Sequence, residues 1–325
     1  MRALICSEFC EPMALKIGEL PAPVLTADSV RIRLHAAALN FPDFLMVEGK
    51  YQYKPPFPFA PGMEGAGEIT EVGAEVNEFQ VGDRVACHPF VGCVAEEVVA
   101  PASLTFRIPT TMDYETAAGF CLTHGTVYHA LLDRGDLQAG ENVLILGAAG
   151  GVGLNACTLA KVFGATVIAA ASSEEKLALA KDHGADFGVN YNTENLRERV
   201  KDLTNGKGAD LIFDPVGGDM TDQAMRSINW NGRLLIIGFA AGRIAKIPSN
   251  HILIKGVQVI GVATQRFNRL EPLKAKANMT ALFELWQKGA LKPHNGAVYT
   301  FQDAAQAIDD MAHRKAIGKS IIQIH

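Results

Sequence analysis

The feature that most constrains this chain is an apolar segment that runs directly into a glycine-rich turn. Val143–Leu146 predicts a buried strand, and the turn Gly147–Gly153 leads into a helical pattern that begins near Leu154. Glycines allow the backbone to approach phosphate oxygens, and a helix N-terminus directs N–H groups and partial positive charge at them. Ala148 departs from the G-x-G-x-x-G pattern, because it stands where the first glycine is usual. A tight turn without a ligand is the alternative, but the strand–turn–helix context favours a dinucleotide site.

Strands and helices alternate around this turn, from about residue 122 to residue 262. The apolar strand candidates are Val143–Leu146, Thr166–Ala170, Leu211–Asp214, Leu234–Gly238 and Val257–Val262, and the helical patterns include Leu154–Phe163 and Glu174–His183. Near-continuous apolar strands that alternate with amphipathic helices predict a parallel sheet covered on both faces.

The two ends of the chain follow a different pattern. Before residue 120 the sequence predicts short strands separated by turns, and after residue 262 it predicts two helices and a closing strand that pairs with the first part. The candidates are the strands Val30–Leu34, Gly67–Val72, Asp83–Ala86 and Ser320–Ile324 and the helices Leu273–Gly289 and Gln302–Arg314.

Composition excludes several classes of protein. The 325 residues are ample for two domains, since one domain usually has about 100–200. The formal charge of −5 and the lack of a basic cluster disfavour nucleic acid as a partner. The longest apolar run, Val143–Leu154, is too short for a membrane span. The six cysteines are scattered and predict reduced thiols, so a cytoplasmic protein is expected.

The end of the second strand bears on the choice of cofactor. An NAD site would place an acidic residue there, but Ser172 and Ser173 follow the strand, with Lys176 and Tyr191 further along. Hydroxyl groups and a lysine suit the 2′-phosphate of NADPH. Ser172 with Glu175 also forms a possible capping box, and the two functions are compatible.

Taken from end to end, the chain resembles a medium-chain dehydrogenase/reductase, and within that superfamily the zinc-free NADPH:quinone oxidoreductases related to ζ-crystallin. The residues that carry the resemblance are Ala38–Asp43, Gly49–Tyr51, Pro58–Gly67, Val81–Val85, Ala148–Gly153, Gly184–Asp186 and Lys319. It implies an α/β fold in which a Rossmann doubly wound parallel sheet, residues 123–262, is inserted in a GroES-like β-rich catalytic domain, residues 1–122 and 263–325. It also implies an active site between the two domains and a homodimer formed through the nucleotide-binding domains.

The resemblance also bears on zinc. The alcohol dehydrogenases of this superfamily bind a catalytic zinc through two cysteines and a histidine, and the matching positions are Asn40, Met63 and Gly119. An amide, a thioether and a residue without a side chain do not make a zinc site of the usual kind. Each of the nine histidines is expected to be a surface or capping residue rather than a ligand.

Candidate site residues follow from the same resemblance. Asn40 and Tyr51 are the catalytic candidates for a hydrogen bond to a developing oxyanion, and Tyr51 could also donate a proton. The alternative for Tyr51 is a packed aromatic before the proline-rich loop. Asp43 orients Asn40 or caps the helix after it. Arg266, on the loop after Val262, is a further candidate for substrate or phosphate contact. With Ser172, Ser173, Lys176 and Tyr191, the cofactor-binding candidates are Thr123, Gly150, Gly151, Val152, Val216, Gly217, Phe239, Ala240, Val262 and Lys319.

The expected function is therefore NADPH-dependent hydride transfer to a quinone without zinc. One alternative is reduction of the C=C bond of an alkenal, enone or enoyl thioester, with Tyr51 as the acid. A more distant alternative is a protein that binds NADPH without catalysis. In each enzymatic case the partner is a small molecule that is already electrophilic.

Overall fold

A computed structural model describes residues 1–313, 315 and 317–325. The strands are β1 (Arg2–Ile5), β2 (Lys16–Glu19), β3 (Ser29–Ala38), β4 (Glu64–Val72), β5 (Arg84–Cys87), β6 (Glu97–Pro101), β7 (Thr105–Arg107), β8 (Asn142–Leu146), β9 (Thr166–Ala171), β10 (Phe187–Asn190), β11 (Ala209–Asp214), β12 (Ile228–Ile236), β13 (Gln258–Gly261), β14 (Asn295–Thr300) and β15 (Lys319–Gln323). The helices are α1 (Phe41–Val47), α2 (Tyr114–Ala118), α3 (Cys121–Tyr128), α4 (Gly151–Val162), α5 (Glu174–Asp182), α6 (Leu196–Leu203), α7 (Gly218–Ser227), α8 (Ser249–Lys255), α9 (Thr264–Leu270), α10 (Pro272–Gln287) and α11 (Ala304–Ala312).

Two compact units make up the described chain. The first consists of Met1–Leu122, Pro272–Phe283 and Pro293–His325, and the second of Thr123–Glu271 and Glu284–Lys292. Among the described residues no helix is both long and apolar enough to cross a membrane. All six cysteines belong to the described part and are free thiols, as predicted. The expected cytoplasmic location stays a prediction.

The first unit is built on a mostly antiparallel sheet. Its strand order is β14-β15-β3-β4-β5-β7, and β6 also pairs with β3. In β3 the side chains of Val30, Ile32 and Leu34 are fully buried, while Arg31 and Arg33 between them form ion pairs with glutamates of β4. This alternation is what a sheet with one face on an apolar core requires. β15 pairs antiparallel with β3, which confirms that the closing strand returns to the first part of the chain.

The second unit contains a parallel sheet in the order β10-β9-β8-β11-β12-β13. With the strands numbered along this unit the order is 3-2-1-4-5-6, that of a doubly wound nucleotide-binding fold. Val143–Leu146 at its centre are fully buried, because helices cover both faces. The predicted fold class is therefore confirmed.

Two predicted boundaries in this unit differ most from the structure. α4 begins at Gly151 rather than near Leu154, so glycines of the turn form its first turn. β12 spans Ile228–Ile236 instead of Leu234–Gly238. Its first half contains exposed polar residues such as Asn231, which an apolar pattern does not identify as strand.

At the C-terminal end the predicted helix over Gln302–Arg314 is shorter and has a different start. A single 3₁₀ turn, Phe301–Asp303, precedes α11. The predicted end, Arg314, lies outside the described residues.

Candidate functional site

The turn between β8 and α4 is shaped by two glycines. Gly147 has φ +60°, a left-handed conformation that glycine adopts without strain. A Cβ on Gly153 would lie 2.2 Å from the Gly147 carbonyl oxygen, so the first turn of α4 packs directly on the loop. Ala148 is fully buried, and its N–H donates to the Ala170 carbonyl at 3.1 Å, so its methyl group is accommodated. The turn thus leads into the N-terminus of a twelve-residue helix, the kind of position at which anions bind in proteins.

The cofactor-binding candidates of the second unit, Thr123 apart, follow strands that all run in the same direction. Because the strands are parallel, their carboxyl ends share one edge of the sheet, where ligands of this fold bind. The candidates at this edge are Gly150, Gly151 and Val152 after β8, Ser172 and Ser173 after β9, Tyr191 after β10, Val216 and Gly217 after β11, Phe239 and Ala240 after β12, and Val262 after β13. Thr123 is instead buried on α3, with its Oγ1 atom 3.4 Å from His124 Nδ1. The contacts of these residues with a cofactor stay a prediction.

The loop after β11 is held by a residue to which the sequence assigned no function. The buried carboxylate of Asp214 accepts hydrogen bonds from the N–H groups of Val216 and Gly217, both at 2.8 Å. Gly217 has φ +76°, and a Cβ there would lie 2.9 Å from Phe239. The available signal was an acidic residue at the end of an otherwise apolar strand.

After β9, Lys176 contacts Ser172 and Ser173, three of the residues predicted to bind the 2′-phosphate. The predicted cap of the next helix was wrong by one residue. Ser173, not Ser172, is the N-cap of α5: its hydroxyl accepts from the Lys176 N–H at 3.4 Å, since the helix begins at Glu174. The Ser172 hydroxyl accepts from Lys176 Nζ at 3.2 Å. Glu174 accepts a hydrogen bond from Asn190 Nδ2 at 2.9 Å, which engages one of the two carboxylates that would oppose a phosphate.

In the first unit, three polar side chains form a buried cluster, which we call the Asn40 cluster: Asn40, Glu64 and Lys319. The Lys319 ammonium lies 2.6 Å from Asn40 Oδ1 and 2.6 Å from Glu64 Oε1, and it also donates to the Leu39 carbonyl at 2.8 Å. Asn40 Nδ2 donates to Glu64 Oε1 at 3.0 Å. The other oxygen of Glu64 accepts from the Leu122 N–H at 2.9 Å. Glu64 is fully buried and Lys319 is 6% exposed, whereas Asn40 is partly exposed.

Asp43 has both of the functions expected for it. Its carboxylate accepts from the Asn40 N–H at 2.8 Å, which caps α1 and fixes the Asn40 backbone, and from the Gly62 N–H at 3.1 Å. Complete burial raises the pKa of Asp43 to about 7. Burial also raises the pKa of Tyr51, and the charge of Asp43 adds to that effect. Tyr51 is therefore protonated at neutral pH and able to donate a hydrogen bond.

Lys319 was predicted to reach the cofactor, but its ammonium has three acceptors within the first unit. Its stem lies against Gly119, where a Cβ would be 2.8 Å from Lys319 Cγ. Glu64 was the residue of this cluster to which the sequence assigned no function. Glu64 lies in the Pro58–Gly67 motif, directly after Met63, and this position could have identified it as a site residue.

The expected absence of zinc stays a prediction, whereas the histidine prediction is wrong at three positions. Within the described residues no group of three or more histidine, cysteine, aspartate or glutamate side chains is arranged to hold a metal ion. Three histidines are buried rather than at the surface: His88, His124 and His129. His129 stacks on Phe267 with a centroid distance of 3.8 Å and contacts the Asp133 carboxylate at 2.8 Å, so aromatic packing and a hydrogen bond compensate for its burial.

Arg266 also differs from the prediction. It lies on α9 and not on a loop, and its side chain is exposed. The loop after β13 is short because α9 begins at Thr264.

A β-rich unit combined with a doubly wound nucleotide-binding unit is the architecture of a medium-chain dehydrogenase/reductase. The model of the alcohol dehydrogenase GroES-like domain matches residues 26–110, and that of the zinc-binding dehydrogenase matches residues 151–278. The second matched range does not include Asn40, Met63 or Gly119, the positions that correspond to zinc ligands.

Known proteins of similar sequence and structure narrow the family. The quinone oxidoreductase-like protein 2 of Rattus norvegicus is 36% identical over 99% of this chain and 92% of its own length. A mycobacterial protein solved in complex with NADPH superposes with a TM-score of 0.94 at 29% identity, covering 100% of both chains. The Escherichia coli quinone oxidoreductase solved with NADPH has a TM-score of 0.91 at 26% identity, again covering 100% of both chains. The chain belongs to the quinone oxidoreductase family of medium-chain dehydrogenases/reductases.

Proposed function

We propose that this protein, an NADPH-dependent oxidoreductase, transfers hydride to quinones without a metal ion. The observation that carries the proposal is the Asn40 cluster, in which a buried ammonium group lies against one position that corresponds to a zinc ligand, Asn40, and beside another, Gly119. The ammonium already occupies the Glu64 carboxylate at this place, so a divalent cation would have to displace it. In this proposal residues 1–122 and 263–325 form the catalytic domain and residues 123–262 the nucleotide-binding domain.

The residues of the second unit fit NADPH. A Cβ on Gly153 would clash with the turn that precedes α4, so the helix packs directly on this turn. Such a turn suits close approach of a diphosphate. Ser172 and Lys176, already in contact at 3.2 Å, supply a hydroxyl and a cation for the 2′-phosphate. NADPH, when bound, supplies the hydride. Relatives solved with NADPH support this cofactor.

Without a Lewis acid, the acceptor must already be electrophilic. A quinone that takes up a hydride gains two electrons and one hydrogen, and the negative charge is delocalised as a phenolate, which then takes a proton from water. Asn40 stabilises this oxyanion through its amide N–H, and Asp43 holds the Asn40 backbone. Tyr51, protonated at neutral pH, donates a second hydrogen bond.

A second candidate function is reduction of the C=C bond of an α,β-unsaturated carbonyl. The residue that favours it is Tyr51, a partly buried phenol that is protonated at neutral pH and so carries the proton that the carbon next to the carbonyl requires. Hydride would then be added to the β-carbon, and the enolate would take its proton from Tyr51.

The two functions differ in kcat/KM for NADPH oxidation with an ortho-quinone and with a short 2-alkenone, measured side by side in the presence of a chelator. We expect the quinone to be preferred and the chelator to have no effect. A preference for the alkenone, with a saturated carbonyl as product, would establish the second candidate instead. Loss of activity on chelation would contradict the metal-free mechanism, and absence of turnover with any acceptor would support a non-catalytic NADPH-binding protein.

We also propose a homodimer formed through the second unit. β13 is the edge strand of the parallel sheet, and near it Leu253 and Ile254 of α8 are 82% and 67% exposed. Trp230 of the neighbouring β12 is 65% exposed. An exposed edge strand with apolar neighbours suits pairing with a second copy.

A further inference from the structure

We propose that Lys319 and Glu64 are positioning residues that hold the Asn40 amide in one orientation, and that the lysine ammonium polarises this amide toward an acceptor oxyanion while Glu64 balances the ammonium charge. The inference rests on the proposed function, since it assigns Asn40 to the oxygen of the reduced acceptor. It changes the assignment of Lys319 from a cofactor ligand to part of the acceptor site.

The orientation of Asn40 follows from the chemistry of its partners. A lysine ammonium only donates hydrogen bonds, so the atom 2.6 Å from it must be the amide oxygen, Oδ1. A carboxylate only accepts, so the atom 3.0 Å from Glu64 Oε1 must be Nδ2. A flipped amide would place NH₂ against ammonium and oxygen against carboxylate. Asn40 is therefore held in one rotamer, with its second Nδ2 hydrogen left for a ligand, since no acceptor for it is present among the described residues.

Electrostatics gives this hydrogen an unusual environment. The ammonium draws electron density from the amide oxygen and makes the N–H groups stronger donors, an effect that increases in a buried chain of hydrogen bonds. Glu64 is fully buried and Lys319 nearly so, which limits screening of their charges by water. Asn40 is the partly exposed member, so the effect of the lysine reaches a ligand through the amide.

The space for Lys319 depends on Gly119. A Cβ at this position would lie 2.8 Å from Lys319 Cγ and 3.2 Å from Ile321 Cδ1, so any other residue would displace the lysine stem. The buried position of Lys319 therefore requires glycine at residue 119. This gives a second way to disturb the cluster, one that leaves the chemical groups of Asn40, Glu64 and Lys319 in place.

The first test uses the double variant Lys319→Met/Glu64→Gln in the full-length protein. Replacing both partners avoids leaving a buried carboxylate without its cation, the case in which a variant fails to fold. The matched control is Lys276→Met, which removes the lysine of the exposed Lys276–Glu78 pair in the same unit. Wild type and variants are compared by NADPH Kd from fluorescence titration and by kcat with quinones of graded reduction potential.

We expect the double variant to lose at least about tenfold in kcat, a smaller loss than removal of an oxyanion donor itself. The Kd for NADPH should stay within about twofold of the wild-type value, because in this proposal the cluster donates a hydrogen bond to the acceptor and not to the cofactor. The loss should be largest for the weakest acceptors, since their oxyanions need the most stabilisation. Gly119→Ala should reproduce this pattern, and it provides the test if the double variant does not fold.

Three outcomes would overturn the inference. A raised NADPH Kd with unchanged kcat would make Lys319 a cofactor ligand. An equal loss for every quinone would indicate a structural function only, and wild-type rates in both variants would exclude any involvement. Failure of the proposed function is distinguishable, because the wild-type protein would then show no quinone turnover before any variant is compared.

Discussion

Replacing Lys176 by alanine should weaken binding of NADPH far more than binding of NADH. Lys176 Nζ lies 3.2 Å from the hydroxyl of Ser172, which directly follows β9. We expect the 2′-phosphate to bind there, and this phosphate is the group that NADPH has and NADH lacks. The substitution removes a cation and leaves the Ser173 cap intact, because the cap is made to the Lys176 backbone N–H.

The expected magnitude follows from the contact and its exposure. A hydrogen bond to a charged group is worth about 1.5–3 kcal/mol, and because Lys176 is partly exposed the lower half of this range applies. A loss of about 1.5–2 kcal/mol corresponds to an increase in NADPH Kd of roughly 10- to 30-fold. The Kd for NADH should change by less than about twofold, because NADH has no 2′-phosphate.

The assay is fluorescence titration of both cofactors at low and moderate ionic strength. Lys181→Ala is the matched control, since Lys181 lies on the same helix with an exposed side chain. The effect at Lys176 should be smaller at the higher salt concentration, and the control should leave both Kd values unchanged. An equal loss of NADPH and NADH affinity in Lys176→Ala would refute the 2′-phosphate assignment.

Three further predictions follow from the same structure. Gly153→Ala forces a Cβ to within 2.2 Å of the Gly147 oxygen, so it should destabilise the fold by about 1–3 kcal/mol in urea unfolding and weaken NADPH binding, whereas Gly150→Ala, with 3.4 Å of space, should keep wild-type stability. Burial raises the pKa of Asp43 from 3.8 to about 7, so its contribution to the free energy of unfolding should fall by roughly 3 kcal/mol between pH 4 and 7. Asp43→Asn should flatten that part of the stability profile, and an unchanged slope would contradict the assignment. Val259→Arg on β13 should convert the proposed dimer to a monomer in light scattering, and a wild-type protein that is monomeric would contradict the dimer itself.

Local patterns in the sequence determined most of the second unit. Apolar runs such as Val143–Leu146 are typical of strands buried on both faces, and glycines at a strand–helix junction are typical of a phosphate-binding turn. The predicted ends of strands were less accurate where part of a strand is exposed and polar, as in β12. β12 pairs with β11 at Ile228 and again from Arg233 to Ile236, with an irregularity between, and no local pattern in the sequence shows this pairing.

The cap of α5 shows the same limit on a smaller scale. Ser172 and Ser173 are chemically equivalent candidates, and only the position at which the chain enters the helix decided between them. Similarly, a histidine such as His129 is buried because Phe267, far away in the sequence, provides a ring to stack on.

The acceptor-site candidates depended most on tertiary structure. The sequence alone identified Asn40, Tyr51 and the residue types at the positions that correspond to zinc ligands. It did not connect Lys319 with Asn40, because 279 residues separate them, and β15 must pair with β3 before their side chains meet. Nor did it assign a function to Glu64, one of three glutamates of β4, since only the folded chain places a buried cation against this one. Motifs encode chemistry that neighbouring residues perform, whereas the electrostatics of a buried cluster depends on distances that only the folded chain determines.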